Sequence, residues 1–170
     1  LPANIRFGFG LPLSERINLG FGRTKNGKTI DMEGKFLFLK QEEKGKRIVS
    51  AALFFSVAMN TIRFPTVPDY AFFGDSTTSF EYKFGHRLSY ATQLLIARKF
   101  SEKFSLQIAP TFIYKNLVPA GVSNHTATIP IGGVLKTGLS SSFIFEYAYR
   151  FDNHPADGAY PASIAWEFGT

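Results

Sequence analysis

Large apolar side chains alternate with small or polar ones along most of this chain, and a period of two admits strands while excluding helices. In "KRIVSAALFFSVAMN" the odd positions read Val49, Ala51, Leu53, Phe55, Val57 and Met59, against Ser50, Ala52, Ser56, Ala58 and Asn60. Ile5, Phe7 and Phe9 form the same pattern, as do Ile17, Leu19 and Phe21. Further on come Phe104, Leu106, Ile108, Phe112 and Tyr114, then Ala127, Ile129, Ile131 and Leu135. The pattern closes with Phe143, Phe145, Tyr147 and Tyr149, and with Ile164, Trp166 and Phe168. With 29–40 and 87–100 this predicts about nine strands in a single domain over residues 1–170.

The connections alternate in character. "LPLS", "QEEKG", "SEK" and "TGLS" are tight, whereas "TKNGK", residues 61–86, "LVPAGVSNH" and "DNHPADGAYP" are longer. In an up-and-down meander this puts tight turns at one end of the sheet and longer loops at the other, the arrangement of outer-membrane barrels. Strand length agrees. Tyr90 to Phe100 and Phe104 to Tyr114 each rise about 23 Å at a 45° tilt, close to the roughly 25 Å apolar band of such barrels. Tyr90, Phe100, Phe104, Tyr114 and Trp166 are therefore assigned to the two membrane interfaces.

A soluble barrel alternates too, but it points its apolar set inward and charges its outer face. Here the non-apolar set consists mainly of Gly, Ser, Ala, Thr, Asn and Gln, too few charges for a soluble surface. The fold expected is thus all-β, an antiparallel up-and-down transmembrane β-barrel. Following direction strand by strand, the first and ninth strands run the same way, and even-stranded barrels avoid such a parallel seam. The expectation is that at least one strand is missing, an outward N-terminal one, and that the barrel has about 10–12 strands when complete. Parity turns Arg6, Glu33, Lys35, Gln93, Lys99, Gln107, Glu146 and Glu167 toward the lumen. They line a hydrophilic channel or fill a narrow interior with salt bridges, and a barrel this small fits the second better.

Composition removes other classes. With no cysteine there is no disulfide framework and no thiolate metal site. The net charge of +6 comes from scattered Lys and Arg without a basic run, which argues against nucleic acid. No apolar run is long enough for a transmembrane helix. His86, His125 and His154 fall in or beside long loops without metal-ligand spacing, so neither metal nor cofactor is expected. Asp69, Asp75, Asp152, His154 and Asp157 are candidates for rim hydrolysis but lie in turn-rich sequence, and no catalytic residue is assigned. Asp75-Ser76-Thr77 resembles the short O-glycan acceptor pattern of Bacteroidota, which makes Ser76 a candidate modification site.

"VAMNTIRFP" followed by "RLSYATQLLIARKFSEKFSLQIAPTFIYKNLVP" resembles the core of a Bacteroidota outer-membrane β-barrel family of unknown function, the domain-of-unknown-function 5777 type. The "QLLIARKFS" hairpin and "NLVP" are its most specific part, and the resemblance extends over 3–45 and 126–150. It implies the outer membrane as location, with outer-membrane lipid and lipopolysaccharide as surroundings, and it supplies no activity. The function expected is that of a structural or accessory subunit meeting other outer-membrane or periplasmic proteins, or alternatively of a narrow porin-like pore for small solutes.

Overall fold

The computed structural model describes residues 5–42, 45–68, 71–151 and 161–169. Its strands are β1 (Arg6–Pro12), β2 (Ile17–Thr24), β3 (Thr29–Leu39), β4 (Ser50–Asn60), β5 (Leu88–Lys99), β6 (Phe104–Ile108), β7 (Thr111–Lys115), β8 (His125–Lys136), β9 (Ser141–Arg150) and β10 (Ala162–Phe168). Single 3-10 turns stand at Asn26–Lys28 and Phe84–Arg87. All ten strands form one antiparallel sheet in the order β1-β2-β3-β4-β5-β6-β8-β9-β10, with β7 between β5 and β8.

Every expected strand is present, and the count differs only because one rib is divided. β6 and β7 continue a single register, with Ile108 opposite Ile96 and Thr111 opposite Gln93. Pro110 divides them because it has no N–H to give the ladder. Its carbonyl still accepts from Leu94 N at 2.9 Å. Across the other seam Ala109 N donates to Pro130 O at 2.8 Å, and Pro130 cannot return the bond. The Thr111 hydroxyl donates to Ala109 O instead, at 2.7 Å. The sheet therefore has nine ribs, and β1 runs parallel to β10. A direct seam between them would be parallel; an antiparallel seam requires an odd number of further strands there.

Alternation of connections holds with two departures. Residues 40–49 are long for the tight-turn end, because charges on both parities cannot continue a strand with one apolar face. Within it Glu42 N bonds to Arg47 O at 3.0 Å, and the Glu42 and Arg47 side chains are paired. The Gln41 side chain then acts as an extra rung: its Nε2 donates to Lys99 O and its Oε1 accepts from Lys99 N, both at 2.8 Å. At the other end β2 and β3 are joined by a tight turn, since Gly27 (φ 71°) and Lys28 (φ 45°) both take the left-handed conformation.

Two of the tight turns share one chemistry. In Leu13-Ser14-Glu15-Arg16-Ile17 the Ser14 hydroxyl oxygen accepts from Arg16 N at 3.2 Å and Ile17 N at 3.1 Å. In Phe100-Ser101-Glu102-Lys103-Phe104 the Ser101 oxygen does the same for Lys103 N and Phe104 N, at 3.2 and 3.1 Å. A short side-chain acceptor satisfying two turn amides is what makes Ser favourable there.

Burial in this sheet is inverted relative to a soluble domain. The buried apolar residues among those described are three alanines, Ala51, Ala52 and Ala109. Large side chains stand out of the sheet uncovered, with Phe7 72%, Phe9 78% and Ile164 75% exposed. Soluble monomers rarely expose contiguous apolar patches beyond a few hundred Å².

Candidate functional site

The register sorts the strand residues into two faces of opposite chemistry. All four strand carboxylates, Asp31, Glu33, Glu146 and Glu167, lie on one face. Arg6, Lys35, Gln93, Lys99 and Gln107 share it, so the eight residues expected to face one interior do lie on one side of the sheet. The opposite face is apolar, and the Lys or Arg residues on its strands are Arg23 and Arg98, one near each end.

On the polar face Arg6 crosses β2 to reach β3. Its guanidinium pairs with Asp31 and approaches Glu33 Oε2 at 3.4 Å. Gly22 makes this crossing possible: a Cβ there would lie 2.5 Å from Arg6 Nη2 and from Asp31 Oδ2. At Gly20 a Cβ would lie 2.6 Å from Glu33 Cγ. Asp31 is absent from the eight expected residues, although its parity, two positions before Glu33, is the signal that places it beside them.

Farther round the sheet, Gln93, Gln107 and Glu146 surround a concavity of about 450 Å³ whose floor is small, at Ala109, Gly132 and Ala148. Gln93 Nε2 donates to the Thr111 hydroxyl at 2.8 Å, and the Ser163 hydroxyl donates to Glu146 at 3.3 Å. Two amides, a hydroxyl and one carboxylate can exchange hydrogen bonds with water or a polar solute. Lys99 pairs instead with Glu102 in the tight turn, at 2.9 Å. That hydrogen bond, helped by the ammonium charge, holds the exposed Glu102 carboxyl below its usual range.

The five aromatics assigned to interfaces follow the parity of the apolar face, at its two ends. Tyr90 and Tyr114 are direct cross-strand partners toward the long-loop end. Phe100 and Phe104 stack at 5.5 Å across the tight turn, with the Arg98 guanidinium 4.7 Å from the Phe100 ring. Trp166 meets Phe143 edge-on at 6.1 Å, next to the turn joining β8 and β9.

The 61–87 connection packs on itself. Phe64 stacks on Tyr82 at 4.2 Å, Tyr82 meets Phe80 at 4.8 Å, and Phe80 meets Phe73 at 4.8 Å. The Arg87 guanidinium lies 3.7 Å over Phe64 and donates to the carbonyls of Asn60 and Ile62 at 3.0 and 2.5 Å. His86 is part of this cluster, against Phe73 and Phe80, and its Nδ1 accepts from Lys83 N at 3.1 Å. Sequence periodicity does not reveal this cluster.

Asp75 heads a turn at the tip of the same loop. Its carboxylate accepts from Thr77 N, Thr78 N and the Thr78 hydroxyl at 3.1, 3.0 and 2.6 Å. These bonds, the Thr78 hydroxyl first, lower its pKa to about 2. Ser76 is exposed beside it in the left-handed region, φ 57°. His125 opens β8 against Phe112, ring centroids 6.3 Å apart, far from His86 in the chain. Asp69, Asp152, His154 and Asp157 lie outside the described residues.

The family described as membrane-bound β-barrel domain (DUF5777) matches the chain over residues 1–170. No curated protein and no solved structure matches it.

Proposed function

The chain belongs to the membrane-bound β-barrel domain family, and from that premise we propose that it is a structural or accessory subunit of a bacterial outer-membrane complex. The observation that carries this reading is the packed aromatic cluster of the 61–87 loop. Phe64, Phe73, Phe80 and Tyr82 pack on one another within this connection, and such prior ordering lowers the entropy cost of a contact made there with an envelope protein. Lipid and, on the outer leaflet, lipopolysaccharide cover the apolar face. The reading includes no catalytic step: Asp75, a candidate for one, has its carboxylate oxygens engaged by its own turn.

Purification from native membranes in mild detergent tests it. A stoichiometric partner is expected, and replacing residues 66–81 with a short Gly-Ser linker is expected to release it. A chain that purifies alone in every mild detergent overturns the reading. An O-glycan at Ser76 belongs to the same outward-loop assignment, and an intact mass without added sugar removes it.

A narrow pore is the second reading, favoured by the concavity of small residues around Gln93, Gln107 and Glu146. Unitary conductance steps in planar bilayers support it; electrically silent insertion supports the accessory role.

A further inference from the structure

At the long-loop end the first two ribs set an apolar column beside a cationic one. Phe7 stands directly opposite Arg23 on the apolar face, and one rung farther Lys25 N bonds to Ile5 O at 2.9 Å. Lys28 closes the group. Its left-handed backbone is fixed by the Lys25 carbonyl, which accepts its N–H at 3.2 Å, and by Thr61, whose N–H and hydroxyl both donate to Lys28 O. Ile5, Phe7, Arg23, Thr24, Lys25 and Lys28 enclose a concavity of about 310 Å³. Among the described residues no carboxylate lines it, because Asp31 and Glu33 face the other side of the sheet. Below it Phe9 and Phe21 pair across the strands, then Leu11 and Leu19, so the apolar surface runs on from the cations toward the tight-turn end.

We propose that this corner holds the headgroup of an anionic membrane lipid, its phosphate among Arg23, Lys25 and Lys28 and its acyl chain along Phe7, Phe9 and Phe21. The charge pattern selects this occupant. A neutral apolar partner leaves three cations desolvated, whereas a free anion makes no use of the apolar column. A phosphorylated amphiphile satisfies both parts at the depth where headgroup gives way to chain. The inference rests on the reading that the apolar face meets lipid, and on nothing about the function of the loops.

Native mass spectrometry of the detergent-purified chain, offered dioleoylphosphatidylglycerol or dioleoylphosphatidylcholine at equal concentration, tests it. The wild type is expected to retain one phosphatidylglycerol in preference to phosphatidylcholine. Each cation beside an anionic headgroup is worth about fivefold, so R23Q/K28Q is expected to lower that preference about 30-fold. Arg98→Gln, at the other end of the same face, is expected to leave it unchanged. Because R23Q/K28Q could fail to fold, the wild-type preference is also measured in 50 mM and in 1 M salt, where screening is expected to abolish most of it. Equal retention of the two lipids, an undiminished preference in the folded double variant, or displacement of the lipid by millimolar inorganic phosphate overturns the proposal. Far-UV circular dichroism of the same samples reports the sheet separately, so failure here is distinguishable from failure to form a membrane β-sheet.

Discussion

Arg6 on β1 and Asp31 on β3 are paired over the back of β2, whose Gly22 lies directly beneath the guanidinium. The two strands have no ladder in common, so this ion pair staples three ribs where the sheet has only one neighbour to each side.

Gly22→Ala tests the crossing. The added methyl meets the guanidinium and the carboxylate at once, and loss of this half-exposed ion pair is expected to cost about 0.5–1 kcal/mol. Gly10→Ala, on the same face with open space around it, is expected to change little. Urea midpoints in detergent micelles compare the two, and equal midpoints contradict the account.

Neighbouring residues of β4 should respond oppositely to the same charge. Phe55 lies on the apolar face, and Phe55→Arg is expected to destabilise the barrel by about 2–4 kcal/mol, as charges do on a lipid face near the midplane. Ser56 lies opposite Glu33 on the polar face, so Ser56→Arg gains a carboxylate neighbour and is expected to be tolerated. Folded fractions after refolding into lipid vesicles give the comparison.

The Asp75 turn has a pH dependence of definite sign. Its folded pKa is lowered from 3.8 to about 2, so its contribution is complete above pH 4 and is lost as pH falls through about 2. The Thr77 and Thr78 amide resonances are expected to move together over that interval and to be pH-insensitive there in Asp75→Ala. Movement centred near pH 4 in the wild type contradicts the turn.

Gln41 is expected to protect the end of β5. Removing its side chain in Gln41→Ala takes both hydrogen bonds from the Lys99 backbone, so the Lys99 amide should exchange with solvent faster by tenfold or so, the effect of about 1.4 kcal/mol. Unchanged protection at Lys99 shows that the rung is made by another group.

The sheet was legible because each strand separates two environments, and a period of two records both. β5 is expected over 87–100 and spans Leu88–Lys99; Glu146 and Gln107, assigned to one face from parity alone, sit on one line of paired residues through Gly132. Parity places Asp31 with Glu33, but that Arg6 reaches it depends on glycines of an intervening strand, a three-rib relationship that no single strand's pattern contains. The division of a rib at Pro110 depends likewise on a second proline, Pro130, one rib away. The turns "LSERI" and "FSEKF" repeat a pattern visible in the sequence, whereas the pairing of Glu42 with Arg47 stays hidden because charges on both parities of 40–49 erase the alternation. The loop cluster of Phe64, Phe73, Phe80 and Tyr82 has no period, so only folding brings it together.

The central claim is that the apolar face meets lipid and the polar face does not. Nitroxide labels placed singly at residues 92–97 of β5 in lipid vesicles, with accessibility to oxygen and to a water-soluble nickel chelate read by electron paramagnetic resonance, address it most directly. Labels at Thr92, Leu94 and Ile96 are expected to be oxygen-accessible and chelate-protected, with Gln93, Leu95 and Ala97 out of phase by one residue. A profile without period two, or one in which Gln93 and Ala97 are the lipid-exposed positions, contradicts the account.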